Sequence, residues 1–327
     1  MIDTPNQNAR MNSIRSFITY EPPMKHVLIL FTLFTFAMSV THSLFAQQRL
    51  GGGIVIPVAG QARTMDASTF PSAAPEVIKR HMPEGGAPAS TSSFALLVPP
   101  FGEEKRQIIL FDAGLGDETW IKSLDLAFSI GNGSPEDVTL ILLTHMHGDH
   151  IGGLMNGDVR RFPKAKLLCS EPEYEHWLPK NAEPRTPQIA RIKAAYGEDF
   201  TTFNFDDIVF ERAESMVKIK ALDAAGHTPG HTVFLVEHGF NTGDQGVIEQ
   251  KTLIIGDLLH AAALQFPAPE VCARFDMDIP KSIASRKRIL DLAAQEKTWV
   301  RGMHFPAPYL GTVEKNDQGG YVFKASQ

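Results

Sequence analysis

Cysteine is almost missing from this chain: Cys169 and Cys272 are the only two among 327 residues. That count rules out a disulfide framework and leaves at most one bridge, Cys169 to Cys272, open. Cys169 ends the apolar run Ala165-Lys-Leu-Leu-Cys169, which reads as a buried strand. Positive charge is also short, with 31 Lys and Arg against 37 Asp and Glu and a net charge of −6. The basic residues are scattered and form no stripe, so the electrostatic footprint of a nucleic-acid binder is absent. No internal repeat stands out, which excludes solenoids and propellers. The uncharged apolar run Val27–Val40 falls short of the about 20 residues a spanning helix needs.

That run has a different meaning. Lys25 precedes it and Ser43-Leu-Phe-Ala46 follows, the three-part form of a secretory signal with cleavage after Ala46. Leu44 is larger than the residue usual there. The stretch before the run is long for a charged leader, so a start at Met24 or retention as an anchor stays open. The expectation is a leader over residues 1–46, one large domain over 47–327, and a periplasmic or secreted protein with no stable membrane anchoring after cleavage. A composition of 43% hydrophobic and 21% charged residues supports a sizeable core.

What is present is concentrated histidine. The chain has 12 histidines, and three of them share six residues with an aspartate: His145-Met-His147-Gly-Asp149-His150. The preceding Val138-Thr-Leu-Ile-Leu-Leu143 is continuously apolar and β-prone, so the polar residues sit on the turn leaving a buried strand. α/β sheets place their sites there. Imidazole and carboxylate at this density suit zinc, iron or manganese better than calcium or magnesium. Ala225-Gly-His227-Thr-Pro-Gly-His231 adds two histidines, Leu253-Ile-Ile-Gly-Asp257 an aspartate, and Arg301-Gly-Met-His304 a further histidine, each after a strand-like run. One such histidine alone would more often be structural. Four strand ends in this order change that balance.

The rest of the pattern alternates strands and helices. Residues 64–92, rich in Pro, Ser, Ala and Gly, read as a loop-rich approach with a short helix near Glu76–His81. Phe94–Val98 and Gln107–Asp112 read as a hairpin, Glu118–Ser129 as a helix and Leu167–Ser170 as a strand. Glu171–Trp177 and Thr186–Tyr196 read as helices. Phe203–Phe210, Val217–Leu222, Thr232–Glu237 and Thr252–Ile255 read as strands of a second sheet. Asp278 predicts an N-cap for a helix through Glu296, with Ile283, Leu290 and Ala294 on one face. Trp299–Arg301 and Tyr321–Phe323 close the chain. Two batches of strands, each followed by helices, predict two facing β-sheets with helices outside.

The chain resembles the metallo-β-lactamase fold superfamily, whose signature is an HxHxDH turn, a GHTPGH-like segment, a Gly-Asp and a last His. Gly256-Asp-Leu-Leu-His260, Leu264-Gln-Phe266, Arg274-Phe-Asp276-Met-Asp278 and the basic helix after them are similar to the methyl parathion hydrolase branch, which is akin to the quorum-quenching lactonases. The resemblance implies an αββα sandwich of two mixed sheets, and two divalent ions per chain, zinc foremost. It implies that His145, His147 and His227 hold one ion, that Asp149, His150 and His304 hold the other, and that Asp257 bridges them. Asp149 and Asp257 are the residues expected to act in catalysis, where a bridging water is acidified towards hydroxide. His231 is expected to be structural or to support a ligand. Asp112 either orients a ligand histidine or caps its own turn. His260, three residues beyond Asp257, either lines the pocket or is a satisfied surface histidine, the second being the reading preferred. An aspartate at 257 points away from true β-lactamases. Gly148 departs from that branch, which carries proline there.

The implied function is hydrolysis of small neutral esters, lactones or phosphotriesters, with no nucleic acid as partner; a homodimer is compatible. Phe266, Phe305 and Tyr309 are candidates for an apolar pocket wall, though core packing is the simpler role for each. The alternative is thioester hydrolysis of the glyoxalase type, which calls for a basic pocket that the sequence does not display. A β-lactamase or ribonuclease of the same fold ranks lower, the latter because of the net charge.

Overall fold

The computed structural model describes residues 53–100, 106–241 and 247–326. The expected leader and its cleavage site lie outside these residues. Two large sheets face each other. One has six strands in the spatial order Ile54–Val58, Ser93–Val98, Gln107–Phe111, Val138–Leu142, Lys166–Ser170 and Phe200–Phe203. The other has seven: Ile208–Arg212, Val217–Asp223, Thr232–Asn241, Val247–Ile254, Trp299–Arg301, Leu310–Lys315 and Tyr321–Ala325. Both sheets mix parallel and antiparallel pairs.

The core between the sheets explains the apolar runs. Phe94, Leu96, Ile109, Phe111 and Leu142 from the first sheet meet Ile219, Phe234, Val236 and Ile254 from the second, all buried. Phe111 and Phe234 touch across the interface with ring centroids 5.6 Å apart. Ser93–Val98 is buried at every position, because the helix side of its sheet is covered too. On that side Trp120 of the helix Glu118–Gly131 donates Nε1–H to Ser93 Oγ at 2.8 Å. On the far side of the second sheet Val233, Leu253, Ile255 and Val300 pack with Ile289, Leu290 and Ala293 of the helix Ile279–Glu296. Among the described residues no helix is long and apolar enough to cross a membrane. Cys169 and Cys272 are both free and buried, so the bridge left open above is not formed.

Three expectations change. Phe203–Phe210 is not one strand. Phe200–Phe203 ends the first sheet, Asp207 Oδ2 accepts from Asn204 N–H at 2.9 Å, Asp206 turns at φ 70°, and Ile208–Arg212 begins the second sheet. Asn and Asp side chains bond to nearby backbone, which stabilises a turn inside an apparent strand. Residues 64–92 are more ordered than their composition suggested. Arg63–Asp66 pairs with Gly86–Ala89 around the helix Pro75–His81, and Phe70, Met82 and Ala87 pack on Ala261, Leu264 and Val271. In the helix Ile279–Glu296, Leu290 is buried as expected and Ala294 packs partly against the same core, but the fully buried face also takes in Ser282, Arg286, Ile289 and Ala293, while Ile283 stays half-buried.

His238 offers a test of the fold away from the site. Burial, then the Arg301 charge, pulls its pKa from 6.5 down to about 4. A neutral buried histidine contributes its full stability above the ordinary pKa and loses it as pH falls towards the folded one. Urea unfolding should therefore show stability dropping below pH 6.5 by about 1.4 kcal/mol per pH unit from this group, with the loss flattened in His238→Gln. Equal slopes in both proteins would contradict the assignment.

Candidate metal centre

Strand ends build the centre. Val138–Leu142 runs parallel to both of its neighbours and hands the chain to Thr144 and His145. His147 then precedes the single helical turn Gly148–Ile151, which carries Asp149 and His150. Gln107–Phe111 delivers Asp112, Val217–Asp223 leads to His227, Val247–Ile254 to Asp257, and Trp299–Arg301 to His304. Ends from both sheets meet at one edge, and all seven sequence-nominated residues come together there.

The geometry crowds nitrogen and oxygen donors together. His145 Nε2 and His227 Nε2 lie 3.0 and 2.9 Å from His147 Nδ1. Asp257 Oδ2 is 3.4 Å from His227 Nε2 and 3.0 Å from His304 Nε2, while its Oδ1 is 2.9 Å from His150 Nε2. Asp149 completes a second group with His150 and His304. Asp257 thus stands between the two groups.

The opposite ring nitrogens decide the tautomers. Asp112 accepts Thr144 N–H at 2.7 Å, Thr144 Oγ–H at 2.7 Å and His150 Nδ1–H at 2.6 Å. With its proton committed to Asp112, Thr144 Oγ1 accepts from His145 Nδ1–H at 3.1 Å. His227 Nδ1–H donates to Asp276 at 2.9 Å and His304 Nδ1–H to Ser90 O at 2.7 Å. Four rings therefore aim Nε2 lone pairs inward, the form a metal ligand requires. Lone pairs at 3 Å repel unless a cation or proton lies between them. His150 Nε2 and Asp257 Oδ1 are buried and neither has a hydrogen bond despite their proximity. The donor set of imidazoles and carboxylates fits zinc-type dications.

The electrostatics divide the rings: against burial, the Asp257 carboxylate facing them holds His150 and His304 above the ordinary histidine range. Burial holds His145 well below the ordinary histidine pKa and His147 near 4, so both stay neutral. Burial would raise the Asp257 carboxyl, but the rings of His150, His304, His145 and His260 hold it well below the usual range. His231 is pulled to about 3 by burial. It donates Nδ1–H to Ala224 O and accepts Asp257 N–H at Nε2, 3.0 Å away, so it holds the backbone of the shared aspartate. Gly256, at φ 51°, lets this happen: a Cβ there would come within 2.6 Å of His231 Nε2.

Sequence reasoning misplaced His260 and missed several supports. His260 is not on the surface. It is 1% exposed, its Nε2 is 3.2 Å from Asp257 Oδ2, and it stacks on His304. Asp112, read two ways above, orients His150. Asp276 and Ser90, which fix the tautomers of His227 and His304, lie 49 and 214 residues away in sequence from those rings, too far for a local motif to reveal. Arg286, buried within the basic helix, donates Nε–H to Leu258 O at 2.8 Å and pairs with Asp276 at 3.3 Å. Phe266 and Phe305 are core aromatics packed with Phe323, and Tyr309 packs into the core between the sheets. The aromatics beside the centre are Trp177, its ring 5.6 Å from His147, and Phe275, 5.3 Å from His260.

Gly148 is tolerant. A Cβ there meets only Gln188 Oε1 at 3.7 Å, and His147 before it has φ −68° and ψ 156°, the conformation a following proline demands. As the first helical residue it suits proline. Gly148→Pro should raise stability by about 0.4–1 kcal/mol with turnover within a few-fold, read by urea unfolding. A loss of stability would refute this account of the turn.

The comparisons with known proteins agree with this architecture. The profile of the metallo-beta-lactamase superfamily matches residues 103–294. The chain belongs to that superfamily. An atrochrysone carboxyl ACP thioesterase of Pseudocercospora fijiensis (strain CIRAD86) is 29% identical over 172 residues, 51% of this chain and 42% of the relative. The lactamase-like protein adaB of Aspergillus niger is 28% identical over 196 residues, 59% of this chain and 50% of the relative. The chain thus spans about half the length of these curated relatives. Two solved structures share the fold. The hydrolase AbOPH of the beta lactamase superfamily has a TM-score of 0.66 and 24% identity, covering 84% of this chain and 94% of its own. AidC, a dizinc quorum-quenching lactonase with a bound product, has a TM-score of 0.67 and 23% identity, covering 85% and 96%.

Proposed function

We propose that this chain is a dinuclear hydrolase that cleaves small neutral esters, lactones foremost. The observation that carries the reading is the placement of Asp257: one carboxylate oxygen faces His227 and His304, the other His150, so a single anion is shared by two donor groups. Its name places AidC among dizinc lactonases, which supports the same reading.

Two divalent ions held by the seven residues would supply Lewis acidity and lower the pKa of a shared water. The chain's own residues do the rest. Asp112, Asp276 and Ser90 keep the inward ring nitrogens deprotonated. His231 and Arg286 hold the Asp257 loop from behind. Access is on the side of His147 and Asp149, the two partly exposed members of the set. Phe275 and Met277 beside it are 37% and 47% exposed, an apolar rim suited to an uncharged substrate with a hydrophobic portion. The second reading is thioester hydrolysis, favoured by the thioesterase named among the relatives.

A hydrolysis panel on metal-loaded protein tests both: an acyl-homoserine lactone, an aryl ester, a phosphotriester, a thioester and a β-lactam. The lactone should be cleaved fastest and the β-lactam not at all. Thioester turnover well above that of the lactone would establish the second reading, and efficient β-lactam turnover would refute both.

A further inference from the structure

The helix Glu171–Trp177 contributes no ligand, yet it sits against both loops that carry the three-histidine group. Glu173 is its fully buried member, with 0% exposure, and Trp177 is buried as well. Its Oε1 accepts Met146 N–H at 2.8 Å and Trp177 Nε1–H at 2.6 Å. Its Oε2 accepts Thr228 Oγ–H at 2.6 Å and Gly230 N–H at 3.1 Å. Met146 lies between His145 and His147, Thr228 follows His227, and Trp177 is the ring set edge-on to His147. One carboxylate therefore ties the 145–147 turn to the 227–230 loop. The contact is close because Gly230 permits it: a Cβ there would come within 2.1 Å of Glu173 N. Ser170, the N-cap of the same helix, adds a parallel tie by donating Oγ–H to Gly230 O at 2.6 Å.

We propose that Glu173 is the positioning residue of the three-histidine half of the centre, setting the approach of His227 to His147 and so the affinity of that half for its ion. This rests on the dinuclear reading above. The other half is held differently. His150 is fixed by Asp112 and His304 by Ser90, and Glu173 bonds to neither. The effect of Glu173 should therefore be selective for one of the two ions.

The carboxylate is also irreplaceable by its amide. Each oxygen receives two donors, and glutamine keeps only one acceptor oxygen. Whichever way the amide turns, its NH2 faces two donors. Either Met146 and Trp177 or Thr228 and Gly230 lose their acceptor, so one loop is released while the packing volume is unchanged.

The experiment is a cobalt(II) and zinc titration of the full chain under chelator competition, followed by visible absorption of the cobalt form. Wild-type protein should bind two ions. Glu173→Gln should keep one at wild-type affinity and bind the other roughly 10–100-fold more weakly, the size expected when a ligand loses its outer support. Excess metal should restore kcat. Thr228→Val, a milder change that removes one donor, should shift the same ion in the same direction by less, and it decides the question if Glu173→Gln does not fold. A residue that merely packs the core would lower the melting temperature and leave the two affinities in their wild-type ratio; that outcome overturns the proposal alone. Wild-type protein that binds fewer than two ions overturns the dinuclear reading and this inference with it.

Discussion

Asp257→Asn should lower lactone turnover by at least about 100-fold, beyond the 10–100-fold typical of losing an outer-shell partner, while leaving the metal-free fold nearly intact. The reason lies in what the amide keeps and what it loses. Its size is the same, and its NH2 can donate to His304 Nε2 or His150 Nε2, which lie 3.0 and 2.9 Å from the present oxygens. His231 still receives the backbone N–H of residue 257. Local packing therefore survives. What disappears is the one negative charge shared between the two donor groups, so two dications would stand close together without the anion that screens them. Metal content should fall below two per chain at ordinary metal concentration, with the thermal midpoint of the chelated variant within a few degrees of chelated wild type. Unchanged turnover of lactone and phosphotriester would show that the shared-carboxylate assignment is wrong.

Chelation of the wild-type protein should abolish hydrolysis and lower the melting temperature steeply. An ion present at 1,000 times its Kd stabilises the folded chain by about 4.1 kcal/mol, so two sites contribute about 8 kcal/mol. For a domain of this size that corresponds to a fall of roughly 15 °C or more. The metal-free centre is also poorly neutralised. Asp257 is buried, its carboxyl is held well below the usual range by the imidazoles facing it, and buried atoms such as His150 Nε2 lack a hydrogen bond. Elemental analysis before chelation should give close to two ions per chain, mainly zinc, and adding zinc back should restore both activity and midpoint. Protein with all seven residues intact, a ratio near zero and an unaltered melting curve in chelator would remove the metal centre from consideration.

Much of this was legible in the linear sequence because the key signals are local. A continuous apolar strand followed at once by His145, His147, Asp149 and His150 places four side chains within one turn, and the strand–loop grammar repeats at His227, Asp257 and His304. The helix Ile279–Glu296 announced itself through Asp278, whose carboxylate accepts Lys281 N–H at 3.1 Å as an N-cap should. Elements failed to show where the signal was weak or split. The strand Leu310–Lys315 went unread because few of its positions are buried, although it lies between Trp299–Arg301 and Tyr321–Ala325; it closes onto the latter by a turn in which Asn316 Oδ1 accepts from Gln318 N–H and Gly320 N–H at 2.9 Å each.

The sequence by itself determined the fold family, the seven candidate donors and the order in which strands deliver them, since each follows its strand within one short loop. Tertiary structure alone decided which nitrogen each donor presents and how far apart the donors lie. Those depend on partners remote in the chain: Asp112 on His150, Asp276 on His227, Ser90 on His304, Glu173 between two loops. It also moved His260 from the surface to the centre. Three residues past Asp257, a histidine can point either way, and only the packing of residues 64–89 over Ala261 and Leu264 turns that segment inward. A side chain's type is written at its own position, but its protonation and direction are set by whatever folds against it.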